Sequence, residues 1–347
     1  MKAPPGGTPL IRAPRFVTSL LLACIFLLLV VGVSGVKAED LLRLLGRSRG
    51  DLLARALAAY AGSYIFRALR FRTLLAGKAP SLPRLFCVVA VHNLLNQVLP
   101  VRTGELSYVV LLRNRFHVAS SAGVATLAAA RALDALALAL FLAAGLLFYG
   151  ARRSLPTAAL YGASAALAVL ALGAILFLPA VAAGLLRCAG AVLRLLGLAE
   201  RPLAERLLSK GGEVPAALES LRTRRRLLPA FLWSLCTWFC IFGTCYLVLL
   251  SFSVIDPETL PFGVSIVGTS ALNVTSILPL NALGNLGTWE AGWAAGYMLL
   301  GLPKRTAFET GFGLHAAVFA FALLLGGAGW LALPPGRRAD PGEGPGK

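Results

Sequence analysis

Charge is scarce in this sequence, and negative charge scarcer still. Asp, Glu, Lys and Arg make up 14% of the 347 residues, 15 of them acidic and 33 basic, where a soluble domain carries about 25% charged residues. So few polar side chains exclude a soluble globular enzyme. A hydrophobic content of 58%, before 36 glycines are added, excludes a disordered chain as well. There are only 3 histidines. His92, His117 and His315 share no metal-ligand spacing, so no metal site is expected. The Walker loop, dinucleotide fingerprint, nucleophile elbow and Cys-pair metal motif are missing too, which leaves no cofactor and no catalytic residue to assign. Cys24, Cys87, Cys188, Cys236, Cys240 and Cys245 lie in apolar or interfacial segments, where cysteine packs as a small hydrophobe.

What the sequence has instead is long apolar runs with basic residues between them. A net charge of +18 would suit nucleic acid only if those residues shared a folded polar surface. Here it reads as a topology signal, and the expected partner is the membrane rather than nucleic acid. Segments 16–36, 52–69, 119–149, 156–180, 227–252 and 307–333 each approach the roughly 20 apolar residues that a spanning helix needs. The first is too long for a signal peptide and has a poor cleavage site, so it reads as a retained helix. Residues 181–198, with Arg187 and Arg194, read as an interfacial helix.

Lysine and arginine near helix ends mark the cytoplasmic side. They gather at the N-terminus, at 67–84, in a loop at 187–226 that includes Arg222, Arg224, Arg225 and Arg226, and in the tail after 336. Asp256 and Glu258 mark the opposite side. The pattern predicts both termini in the cytoplasm, one integral membrane domain over 1–333 and a short polar tail at 334–347. Arg152, Arg153 and the segment 37–49 then fall outside, against the charge rule.

Two stretches, 85–112 and 261–302, are interrupted by polar residues, Pro and Gly. The first carries His92, Asn93, Asn96, Gln97, Pro100, Arg102, Gly104 and Glu105; the second carries Asn273, Pro279, Asn281, Gly284, Asn285, Gly287 and Glu290. Both run Asn, Leu-Pro, a Gly-containing polar turn, then Glu opening a new apolar helix. Proline and glycine end one half-helix and start another, and irregular backbone at membrane depth survives only against protein or an aqueous cavity. Each stretch therefore reads as a re-entrant hairpin or, alternatively, as a tight helix connection at the membrane surface. The fold class is an all-α polytopic membrane protein with about six spanning helices plus two re-entrant hairpins in an inverted-repeat arrangement.

Ionisable and amide groups at membrane depth are the candidate substrate-binding residues: Arg102, Glu105, Asn93, Asn96, Asn281, Asn285, Glu290, Arg131 and Asp134. Arg102 suits a lipid phosphate or a salt bridge with Glu105. Glu105 and Glu290 stand at half-helix starts, where the dipole favours negative charge. Arg131 and Asp134 must pair together or with the hairpins. The asparagines satisfy broken backbone or contact a headgroup. Gly292-x-x-x-Gly296 fits close helix packing.

Four passages resemble one family: RALRFRTLL at 67–75, NQVLPVRTGE at 96–105, RALDAL at 131–136 and LPLNALGNLGTWE at 278–290. In this order they are similar to the lysylphosphatidylglycerol synthase transmembrane-region family, flippase-like integral membrane proteins. The resemblance implies an inner (plasma) membrane protein that handles anionic or lipid-linked substrates, such as aminoacylated phosphatidylglycerol, polyprenyl-linked sugars or hopanoids, alone or with biosynthetic enzyme partners. An enzyme or accessory subunit, and a non-catalytic scaffold, remain open alternatives. Ala130 and His315 depart from the acidic residue and the arginine common in relatives. The fourteen residues from Pro334 to Lys347 leave no room for an aminoacyl-transfer domain, so lysyl-lipid synthesis by this polypeptide is not expected.

Overall fold

The computed structural model describes residues 32, 34–99, 104–153, 158–195, 197, 201–221, 224–275 and 285–334. The described residues form eleven α-helices, one short 3-10 turn and no strand. They are α1 (Ala38–Gly46), α2 (Gly50–Leu75), α3 (Leu82–Val98), α4 (Glu105–Phe116), α5 (Ser120–Arg153), α6 (Ala158–Leu195), α7 (Pro202–Leu221), α8 (Arg224–Ser251), α9 (Phe262–Thr275), α10 (Thr288–Leu299) and α11 (Lys304–Ala332). Among them α5, α8 and α11 are long and apolar enough to cross a membrane. The expected spans at 52–69 and 156–180 fall within α2 and α6, of 26 and 38 residues. The expected span at 16–36 lies almost wholly outside the described residues.

Both broken stretches form helical hairpins. The limbs of the first are α3 and α4, of 17 and 12 residues; those of the second are α9 and α10, of 14 and 12. At 1.5 Å per residue a 12-residue limb is about 18 Å long, short of the roughly 30 Å hydrocarbon core. In the first hairpin His92 Nδ1 lies 3.2 Å from the Gly104 carbonyl and from Ser107 Oγ, while Asn96 Nδ2 donates to His92 Nε2 at 3.1 Å. A side chain at Gly104 would meet the Asn96 backbone at 2.6 Å, so only glycine lets the limbs close. In the second hairpin Gly292 and Gly296 of α10 face Leu272 and Thr275, and Gly268 and Ala271, of α9. The small-residue motif thus serves packing within the fold. Where lipid outside the helices is as apolar as leucine, such backbone approach is a main source of helix association.

The two hairpins belong to two equivalent halves. Each half begins with a long helix, continues into a hairpin and ends with a second long helix: α2–α3–α4–α5, then α8–α9–α10–α11. The opening helices pack along one another, with Ala56 beside Thr244, Gly62 beside Cys240, Phe66 stacked on Trp233 and Arg70 on Ser234. Numbers rise along α2 as they fall along α8, so the helices are antiparallel and one half is inverted relative to the other. The closing helices are exchanged. In α11, Gly326 and Gly329 seat against Leu94, Ala90 and Cys87 of α3, while Gly145 and Phe148 of α5 seat against Gly263 and Ile266 of α9.

Three expectations need correction. Residues 181–198 are not a separate interfacial helix, because α6 continues from Ala158 to Leu195 through Pro179. Proline forfeits one backbone bond, here to Ile175, and strong helix formers on both sides carry the helix on. The region 187–226 is not an open loop; it contains the end of α6, the helix α7 packed on α5 and α6, and the start of α8. Residues 67–75 are the end of α2, with Arg72 exposed in its last turn, but not all of their charge faces outward: Arg70 is turned into the protein and Arg67 lines a cavity. Residues 38–46 form α1, which packs Leu44 and Leu45 on the core, exposes Leu42 and ties Asp40 to Arg305 at the start of α11 at 2.6 Å.

Candidate functional site

The inner ends of the two hairpins meet at a cavity of about 450 Å³. The first hairpin brings Asn93, Asn96, Gln97 and Glu105 to it, and the second brings Asn273, Asn285 and Trp289. The long helices close the walls with Tyr60 and Arg67 from α2, Arg131 and Asp134 from α5, Trp238 from α8 and His315 from α11. Of the sequence candidates, Asn93, Asn96, Asn285, Glu105, Arg131 and Asp134 are therefore brought together. Glu290 stands one layer behind, fully buried, with Oε1 2.6 Å from His315 Nδ1. Arg102 and Asn281 lie outside the described residues. His117 caps the end of α4 in a left-handed conformation, with its N–H on the Arg113 carbonyl and the Val118 N–H on that of Leu112, and does not line the cavity.

Equivalent positions in the two halves make equivalent contacts. Asn93 and Asn273 each return a side-chain N–H to the carbonyl four residues earlier, at 2.8 Å in both cases. Glu105 opens α4 and pairs with Arg131 of α5 at 3.1 Å, whereas Glu290 in the first turn of α10 pairs with His315 of α11. Three residues after each glutamate an aromatic side chain reaches a threonine on the next long helix: Tyr108 to Thr126 at 3.3 Å, and Trp293 Nε1 to Thr310 at 3.1 Å. Arg131 and His315 each lie five residues beyond that threonine. Glu290 also accepts the Gly287 N–H at 2.7 Å. This carboxylate is the reciprocal partner in a capping arrangement, and Gly287, at φ 86°, supplies the backbone that allows it.

Sequence reasoning missed the arginines of α2. Arg70, 2% exposed, donates to both oxygens of Asp134 at 2.5 and 3.3 Å and to Ser234 at 3.0 Å. Trp238 Nε1 also donates to Asp134 at 3.0 Å, and Arg131 approaches it at 3.7 Å. Arg131 thus pairs with both its helix neighbour and the hairpin. Arg67 is different: Nη1 donates to Asn93 Oδ1 at 3.0 Å, and no carboxylate among the described residues lies within ion-pair distance. A signal for both was present. Tyr60, Ser63, Tyr64, Arg67, Arg70 and Phe71 recur at helical spacing on one face of an otherwise apolar helix.

Among the described residues no group of three His, Cys, Asp or Glu side chains is placed to hold a metal. The lining is instead suited to recognition, with amides, two hydroxyls and two indoles around fixed ion pairs and one further guanidinium. A search of curated proteins finds no match to this chain. The profile of the lysylphosphatidylglycerol synthase TM region, by contrast, matches residues 16–326. With both hairpins and the four sequence passages inside that match, the chain belongs to the lysylphosphatidylglycerol synthase transmembrane-region family, as a multi-pass, all-helical membrane protein connected with lipids.

Proposed function

We propose that the protein binds an anionic lipid headgroup, of a phospholipid or a lipid-linked glycan, in the cavity between its hairpins and moves it across the bilayer. The observation that carries this reading is the convergence of two inverted, equivalent hairpin ends on one polar cavity. Inverted repeats with broken helices meeting at a central site suit alternating exposure of that site, because each half can take the role of the other. A headgroup crossing bare hydrocarbon loses its hydration; here amides and Arg67 replace it while the acyl or prenyl chains remain in lipid. The reading places the protein in the inner (plasma) membrane with both termini in the cytoplasm, beside the enzymes that make or use the lipid. The test is a leaflet-resolved translocation assay in proteoliposomes with candidate lipids. Movement that requires the protein and falls at least tenfold in Arg102→Ala and Glu290→Gln supports the proposal. No movement of any lipid, or wild-type rates in both variants, refutes it.

A further inference from the structure

The two equivalent halves differ in one chemical respect at the cavity. In the first, Glu105 pairs with Arg131; in the second, Glu290 pairs with His315, which stands at the matching position of its closing helix. A guanidinium does not lose its proton in proteins, whereas imidazole is the side chain that gains and loses one near neutral pH. The first pair is therefore fixed in charge and the second is not. Geometry sets where the proton goes. Glu290 is fully buried and accepts the Gly287 N–H with Oε2 at 2.7 Å, while its Oε1 lies 2.6 Å from His315 Nδ1. A carboxylate can only accept, so Nδ1 carries the hydrogen between them and the basic nitrogen of neutral His315 is Nε2. His315 lines the cavity and Glu290 stands behind it. A proton from cavity water thus adds to the ring at Nε2, and the pair passes from one negative charge to none.

The surrounding charges decide what that proton does. Around the same cavity are Tyr60 and Arg67 of α2, Glu105 of α4, Arg131 and Asp134 of α5 and Cys245 of α8. Of the other elements packed on the pair, α9 carries no ionisable side chain, and Tyr297 of α10 is bonded to Ser265 and Thr269. His92 of α3 is held by Gly104, Ser107 and Asn96, and Asp40 of α1 lies with Arg305 and Glu309 at the start of α11. Among the described residues the carboxylates Glu105, Asp134 and Glu290 are thus matched by the arginines Arg67, Arg70 and Arg131 when His315 is neutral. One added proton leaves a single positive charge over, and one anionic phosphodiester cancels it. Because uncompensated charge away from water is costly, proton and headgroup are favoured together and each is disfavoured alone. The pair also joins the parts that would move. Glu290 caps α10, and His315 belongs to α11, which seats against α3 of the first hairpin. We propose that Glu290 and His315 form a proton site that is filled together with the anionic headgroup, so that lipid movement is a proton symport; the proposal rests on the translocation reading above.

The test uses full-length protein in phosphatidylcholine vesicles under an imposed pH gradient, with NBD-labelled phosphatidylglycerol in one arm and an NBD-labelled polyprenyl phosphoglucose in the other. Dithionite reads the outer-leaflet fraction at steady state, and protein-free vesicles give the baseline. A moved probe should gather in the leaflet on the alkaline side by about tenfold per pH unit, because a one-unit gradient and a tenfold ratio are equal in free energy. Which probe responds identifies the lipid source. His315→Arg, which copies the first half, and His315→Asn, which keeps an N–H for Glu290 but takes no proton, should both bring the two leaflets to equality. A partly inactive preparation reaches its steady ratio late but does not shift it. Binding in detergent separates the two readings, with tryptophan fluorescence titrated by dioctanoyl phosphatidylglycerol and citronellyl phosphoglucose. Affinity should rise as pH falls from about 8 to about 6, by up to about tenfold per unit, and should not depend on pH in His315→Asn. Binding in the wild type that ignores pH, binding of neither probe, or either response retained in His315→Asn overturns the proton site. Movement that ignores the gradient overturns it too and leaves translocation standing, whereas pH-linked binding without movement of either probe supports the proton site and refutes only translocation.

Discussion

Removing Asp134 alone should damage the fold more than removing it together with the arginine it neutralises. Arg70 is 2% exposed and Asp134 7%, so neither charge has water to fall back on. Asp134→Leu leaves the Arg70 guanidinium with the Ser234 hydroxyl as its remaining described hydrogen-bond partner, beside the Phe71 ring at 5.4 Å. Losing one member of a buried pair costs about 3–5 kcal/mol, and the released Trp238 N–H adds about 1 kcal/mol. Arg131 is not orphaned, since Glu105 holds it at 3.1 Å. In Arg70→Leu/Asp134→Leu no buried charge is left uncompensated, and replacing a pair by apolar residues is close to neutral. The coupling between the substitutions should therefore be about 2–4 kcal/mol in favour of the double variant, roughly a 30- to 1000-fold difference in the unfolding constant. Reversible SDS unfolding in mixed micelles, followed by tryptophan fluorescence for wild type, both single variants and the double, measures it. If Asp134→Leu lies within about 1 kcal/mol of wild type, or the double variant loses the sum of the single losses, the ion pair does not have the role given to it here.

Gly296→Val should destabilise the second hairpin by about 1–3 kcal/mol in the same unfolding assay, because its Cβ would press on Ala271 and the Gly268 carbonyl. Asn285 lines the cavity with φ 58°; Asn285→Gly preserves that left-handed backbone and should leave thermal stability near wild type while lowering headgroup affinity several-fold in a binding titration. Asp40 has its carboxyl held below the ordinary value, first by the Lys37 backbone N–H and then by Arg305. The sign follows from a depressed folded-state value: the contribution is present above the unfolded value of about 3.9 and disappears as pH falls through the folded one. Thermal scans should thus show a constant, pH-independent Asp40 contribution from pH 5 to 8 and an acid limb that flattens in Asp40→Asn.

Much of the fold was legible because membrane helices announce themselves by length and composition, and because Pro and Gly mark where a helix breaks. The hairpins at 85–112 and 261–302 were found that way. So were most of the cavity residues, since an amide or carboxylate inside an apolar run has few reasons to be there. Arg67 and Arg70 were misread because charge near the end of an apolar run looks the same whether it faces cytoplasm or protein; only Asp134, 64 residues away from Arg70, settles which. The continuation of α6 through Pro179 was hidden for another reason. One lost backbone bond is a small defect in a 38-residue helix, too small to outweigh the helix formers around it. The correspondence of Arg131 with His315 was invisible because the two residues share a position and a partner type but not an identity.

The exchange of closing helices between halves has a consequence for how the chain is made. Ala90 and Leu94 of α3 find their packing partners in Gly326 and Gly329, near the end of the chain. At 5–20 residues per second the ribosome takes roughly 10 to 50 seconds to deliver them. Throughout synthesis the first hairpin therefore stands with one flank open to lipid or to the insertion machinery, and maturation ends with α11 sliding into a seat prepared long before. Expressed alone, the first half would lack its last wall, and supplying the second half as a separate polypeptide should restore it.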